Sequence, residues 1–170
     1  SSGPGQISGL GSVALDGQGN VVVSDSGNNR VQVLRCSDGA HLRTIGSQGS
    51  GAGQFNYPHG VAFDSAGHII VADNGNHRVQ VLRYSDGSHV RTIGIYGSGN
   101  GQFRCPRSVA VDGSGNVFVL DVSNHRIQVL RMSDGAHVRS MCSRGSGAGQ
   151  LGGWGSIAFD GQGNVVVADR

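Results

Sequence analysis

The sequence has 170 residues and a net charge of +2 from 13 Arg and 11 Asp, with neither Lys nor Glu. No apolar run approaches the roughly 18 residues of a membrane-crossing helix, and no signal-peptide pattern opens the chain, so no membrane partner is expected. Glycine supplies 31 residues, far above the usual share of about 7 %, but the glycines hold fixed phases of a repeat and so mark turns, not disorder.

The repeat is carried by Asn28-Asn29-Arg30-Val31-Gln32-Val33-Leu34-Arg35. It returns as Asn76-His77-Arg78-Val79-Gln80-Val81-Leu82-Arg83 and as Asn124-His125-Arg126-Ile127-Gln128-Val129-Leu130-Arg131. Asp16, Asp64, Asp112 and Asp160 are 48 residues apart, as are Asp25, Asp73, Asp121 and Asp169. A fixed period of this length marks a repeated supersecondary unit. The copies run over 12–59, 60–107 and 108–155, with half a copy at 156–170, all read as one domain over 1–170.

Within a copy, apolar residues alternate instead of recurring at helical spacing. In the second copy the pattern predicts a strand over 61–64 and a turn at Ser65-Ala66-Gly67. A strand over 68–73 and a turn at Asn74-Gly75-Asn76 follow, since Asn and Gly tolerate left-handed backbone. Then come a strand over 78–83, a hairpin turn at Ser85-Asp86-Gly87 and a strand over 89–93. Four short antiparallel strands make one sheet, and the connections are too short for parallel crossovers. A Gly-rich connector closes each copy, over 46–59, 94–107 and 142–155. Each contains Gly-Ser-Gly-x-Gly-Gln followed by Phe55, Phe103 or Leu151. That length carries the chain from the outer edge of one sheet to the inner edge of the next. The predicted fold is all-β, a propeller of four-stranded antiparallel blades with about three and a half of them present.

Residues 53–81 read Gly-Gln-Phe-x-x-Pro-x-Gly-Val-Ala-x-Asp, then Ile-x-Val-Ala-Asp-x-x-Asn-His-Arg-Val-Gln-Val. This resembles the NHL repeat, named for an Asn-His-Leu signature. Residues 101–129 follow it with Arg107-Ser108 in the corner, and the first copy departs at Leu10 and Asn29. The resemblance implies a propeller of about six blades, completed by the rest of a longer chain or by another chain.

A catalytic centre is needed once, so a residue set present in every copy is expected to serve the blade. Ser37-Asp38-Gly39-x-His41 holds the side-chain types of a hydrolase triad but recurs at Ser85–His89 and Ser133–His137. Partners this close on one hairpin cannot converge as a triad does. Asp25 with Arg30, Asp73 with Arg78 and Asp121 with Arg126 are expected to form structural ion pairs, charge-assisted and bidentate. Asp16-Gly17-Gln18-Gly19-Asn20 lacks the alternating carboxylates of a calcium loop and reads as a β-turn. Cys36, Cys105 and Cys142 fall at three different phases and make neither a disulfide framework nor a metal motif. No catalytic residue, metal or cofactor is assigned. A propeller lyase acting on amidated peptides is similar to NHL repeats, but its metal and catalytic residues carry onto no distinct position here.

The copies differ in the connectors, which a propeller presents on its top face. These differences single out Tyr57, His59, Tyr96, Arg104, Arg107, Arg144 and Trp154. Trp154 stands in the column of Pro58 and Pro106, where filling a corner is the alternative reading. The expectation is a non-enzymatic interaction scaffold that binds a protein partner or holds a place in a larger assembly, since Tyr, Trp and Arg are favoured interface anchors. Single-stranded RNA is the alternative partner, because arginines beside exposed aromatics suit phosphates and stacked bases, and NHL domains of some RNA regulators are known to use the top face so. A small-ligand or lyase-type propeller is the second alternative.

Overall fold

The computed structural model describes residues 3–169. Ser1, Ser2 and Arg170, the last residue of the predicted half copy, lie outside the described residues. Three sheets of four strands follow one another. The first holds Leu10–Leu15, Asn20–Asp25, Arg30–Arg35 and His41–Ile45. The second holds Pro58–Phe63, His68–Asp73, Arg78–Arg83 and His89–Ile93, and the third Pro106–Val111, Asn116–Asp121, Arg126–Arg131 and His137–Met141. Gly155–Phe159 and Val165–Asp169 form a two-stranded fourth sheet. In each blade the strands lie in sequence order and pair antiparallel. The first strands of successive blades pack side by side. The result is an open arc of a propeller, not a closed ring.

The middle strands are apolar at consecutive positions because both faces of each sheet are covered. Along His68–Asp73, Ile69 and Val71 join Val22, Val33 and Phe55 toward the first blade. Ile70 and Ala72 join Phe103, Val117 and Val119 toward the third. Alternation of side chains across the pleat thus assigns one parity of residues to each neighbouring blade. Outer strands lack that double cover, and Leu42, Val90 and Val138 remain exposed.

The first strand of the second blade begins at Pro58, three residues before the predicted 61, and its pairing with the second strand breaks register between Pro58 and Val61. Asp64 lies beyond the strand end, where its Oδ1 accepts the N–H groups of Ala66 and His68 at 2.9 and 2.8 Å. Asn74–Asn76 is a single 3-10 turn, closed by His77 in left-handed backbone at φ 55°. The connectors are more ordered than a plain span. Ile95–Tyr96 pairs in parallel with Gln102–Phe103, and the same two-residue pairing recurs in the other connectors. The Gln102 side-chain oxygen accepts the Gly99 N–H at 2.9 Å and closes that loop, while Phe103 is fully buried between blades.

Candidate binding face

Buried carboxylates hold the 46–59 and 94–107 connectors in place, whereas Asp169, under the third connector, is exposed. Asp73 is fully buried, and its Oδ1 accepts the N–H of Asn56 at 2.8 Å. Its Oδ2 takes Asn76 Nδ2 at 2.9 Å, Arg78 Nε at 2.8 Å and Gln80 Nε2 at 3.0 Å. The Asp25–Arg30 and Asp121–Arg126 pairs repeat this arrangement at 2.8 and 3.0 Å. The pairs are not bidentate as expected. Only Arg78 Nε meets the carboxylate, because the other guanidinium nitrogens donate to the carbonyls of Ser50, Gly51 and Gln54 in the connector. Burial works against the charge of Asp25. Hydrogen bonds from Ser8, Arg30, Asn28 and Gln32 outweigh it and hold that carboxyl below its ordinary value. The side chain of Gln80, also fully buried, accepts the N–H of Gly53 and donates to the carbonyl of Gln54. Sequence reasoning missed this Gln32–Gln80–Gln128 column, although its recurrence in every copy was the available signal.

The clamps place the connector corners against the turns between second and third strands. Tyr57 and Cys105 both take left-handed backbone, at φ 54° and 57°. The Tyr57 N–H donates to Asn29 Oδ1 at 2.7 Å, and the Cys105 N–H to His77 Nδ1 at 3.1 Å. With its N–H held in this way, Tyr57 projects outward at 53 % exposure, and Tyr96 and Trp154 stand at 58 % and 64 %. Trp154 therefore fills no corner, whereas Pro58 and Pro106 in the same column are buried.

Of the seven predicted face residues, four meet in one cluster. The Arg107 guanidinium lies over the Trp154 ring at 4.3 Å from its centroid. Arg107 Nη1 is 3.3 Å from His59 Nε2, and the His59 and Tyr57 rings are 6.3 Å apart. Tyr57, His59, Cys105, Arg107, Val122 and Trp154 help to line a cleft of about 410 Å³. A second group lies beside it, with Arg104 over Tyr96 at 5.5 Å and the His77 ring 4.9 Å from that ring. Sequence reasoning passes over His77 as a repeat residue. Arg144 is exposed on the two-residue strand Ser143–Arg144, at Tyr96's position one blade further on, and contacts neither group.

An arginine can only donate, so His59 Nε2 is the acceptor and the ring proton lies on Nδ1. Burial first, and then the Arg107 charge, push the His59 imidazole down from 6.5 to about 4. The folded chain therefore resists protonation across that window while the unfolded chain does not. The stability contributed by neutral His59 is complete above pH 6.5 and is lost as pH falls toward 4. For a half-buried, solvent-screened group this amounts to about 1–2 kcal/mol. In an NMR titration the His59 ring should show a midpoint near pH 4, and Arg107→Leu should raise it. A midpoint at the ordinary histidine value would contradict the packing described.

The repeated constellations are engaged in structural hydrogen bonds, mostly within their own blades, with Asp16 Oδ2 also accepting Tyr84 O–H from the next blade at 2.8 Å. His41, His89 and His137 pair with Thr44, Thr92 and Ser140 at 3.0, 2.9 and 2.9 Å, and Asp38 bonds Ala40 N and Arg35. Asp16 Oδ1 accepts the N–H groups of Gln18 and Asn20, as a turn aspartate does. Among the described residues no group of three His, Cys or Asp could hold a metal ion.

The family described as the NHL repeat matches at residues 9–34, 55–82 and 103–130, one match per full blade. The chain belongs to the NHL-repeat family. No curated protein matches this NHL-repeat chain. Among solved structures, a streptogramin B lyase matches 96 % of the chain at 14 % identity and TM-score 0.66. A protein of unknown function from Bacteroides caccae matches 94 % of it at 19 % identity and TM-score 0.63. The structure of a nidogen/laminin complex matches 75 % at 17 % identity and TM-score 0.56. At these identities the likeness is one of fold. The NHL-repeat chain covers 49 %, 52 % and 44 % of those chains, respectively.

Proposed function

We propose that this NHL-repeat arc is a non-catalytic binding scaffold that holds a protein partner on its top face, with further blades completing the ring around the same axis. The observation that carries this reading is the cluster of exposed Tyr57 and Trp154 around half-buried Arg107 at a concave cleft. Aromatic and arginine side chains gathered at a hollow are the residues that dominate protein interfaces. They occupy positions that vary from copy to copy, while the repeated residues serve the blades. One of the fold's neighbours, the nidogen/laminin complex, is itself a protein assembly. Against a lyase-type reading stands the engagement of Asp16, Asp38 and His41, and of their repeat counterparts at Asp86, His89, Asp134 and His137, in local hydrogen bonds.

Single-stranded RNA is the weaker reading because the cations form no continuous track. Arg144 stands apart, and Arg104 and Arg107 each lie over an aromatic ring. The test compares the protein with Trp154→Ala as bait in an extract of its source, with and without nuclease. A partner protein should be retained after nuclease, and once purified should bind Trp154→Ala at least tenfold more weakly. Retention lost with nuclease would favour RNA. So would affinity falling with salt at a log–log slope of about −1.4, the value for two arginine–phosphate contacts on a single strand.

A further inference from the structure

Among the described residues, six arginines have a carboxylate within ion-pair distance: Arg30, Arg35, Arg78, Arg83, Arg126 and Arg131. Arg107 has none among the described residues, although it is half-buried at the head of its blade's first strand. Its one polar partner, His59 Nε2, is neutral and compensates no charge. The carboxylate of Asp169 lines a second hollow together with Arg107, His59 and Trp154 but is not within ion-pair distance of Arg107; it accepts the N–H groups of Gly152 and Gly153. Burial also lowers the Arg107 pKa, as expected for a cation removed from water without a counter-charge.

The blade does not require this cation. Its counterparts are Gly11, His59 and Gly155, and those strands form without it. The guanidinium is nonetheless held in one orientation, by the Trp154 ring on its face and by His59 at Nη1. A fork so placed, with its remaining N–H groups unengaged among the described residues, is arranged for a planar two-oxygen acceptor. Tyr57, Cys105, Val122 and Trp154 line the cleft together with Asn74 and Ser123, and an ion pair in a concave site gains more than one on open surface.

On the reading that the top face binds a protein, we propose that the partner inserts an aspartate or glutamate side chain between Tyr57 and Trp154, its carboxylate paired with Arg107. The flanking residues of the partner are apolar, to match the aromatic walls. A phosphate backbone fits less well, since it needs a row of cations and the neighbouring arginines do not form one.

The test selects short linear peptides on the 170-residue protein from a random displayed library, then synthesises the binders with amidated C-termini. Binders should contain Asp or Glu beside apolar residues. Replacing that acid by its amide, or Arg107→Gln in the protein, should each weaken binding at least tenfold, and the two changes together should add little further. Arg107→Glu should recover binding of a peptide whose acid is changed to Lys. Melting temperatures of the variants matching the parent exclude unfolding as the cause, and the exposed Trp154→Ala gives a second loss at the same site. Peptides that require Trp154 but ignore both the acid and Arg107 would overturn the carboxylate pairing and leave the protein-binding face standing. Binding only by peptides with a free C-terminus would overturn the side-chain assignment. Selection of no peptide that Trp154→Ala weakens, or displacement of peptides by oligouridylate at low concentration, would remove the protein-binding reading itself.

Discussion

Replacing Asp73 with alanine should destabilise the protein by about 3–5 kcal/mol, the penalty for breaking a buried, fully hydrogen-bonded charge pair. Four donors converge on this carboxylate: Asn56 N, Asn76 Nδ2, Arg78 Nε and Gln80 Nε2. Alanine would leave them facing a dry hollow, with Arg78 only 13 % exposed and short of its counter-ion. The contrast is Asp86, whose 3.4 Å contact with Arg83 joins two side chains that are each about half exposed. Asp86→Ala should move the unfolding midpoint far less, because solvent screens such pairs. Urea denaturation of both variants checks this, and equal shifts in midpoint would reject the buried clamp as the source of blade stability. Asp73→Ala should also loosen the connector that carries Tyr57, since Asn56 N–H and the carbonyls of Ser50, Gly51 and Gln54 all depend on the Asp73–Arg78 unit.

The same unit shows what a sequence discloses about such a fold. Strands were legible because short β-branched runs bounded by Asn, Asp and Gly turns are a local signal. That holds even where, as in the middle strands, the apolar residues run consecutively. The period fixed how many sheets there are. The Asp73–Arg78 pairing was legible too, since five residues across a tight turn bring the two side chains together on adjacent strands. Its geometry was not, because the carbonyls that claim the other guanidinium nitrogens lie 24 to 28 residues upstream in the connector. The candidate face was legible as a set of residues and only partly as a site. Trp154 meets Arg107 because the corner of one connector falls beside the first strand of the preceding blade. Arg144 and Tyr96 occupy the same phase, so the rotation between blades that builds a propeller holds them a full blade apart. Translation from blade to blade is what a repeat period cannot express.

Gly94→Ala should cost about 3–4 kcal/mol, a large effect for one methyl group. Gly94 lies at φ +85°, and a Cβ there would be 2.3 Å from Phe103 Cε2 and 2.4 Å from Cδ2. The left-handed backbone alone accounts for about 1 kcal/mol, and the remainder is overpacking against a ring that has no room to withdraw. Phe103 is fully buried between the second and third blades, with Ile93, Val117 and Leu130 in the same cluster. Gly53→Ala provides the control, since Gly53 shares the backbone, φ +72°, but a methyl group there would meet nothing within 4 Å; it should lose only about 1 kcal/mol. The third connector already carries the compensated version of this pair. Cys142 occupies the Gly94 phase at φ 69°, and the residue opposite is Leu151 in place of phenylalanine. The double variant Gly94→Ala with Phe103→Leu should therefore be more stable than the sum of the single losses predicts, by about 1 kcal/mol or more. Strict additivity of the two losses in denaturant melts would mean that the ring is not what excludes a side chain at Gly94.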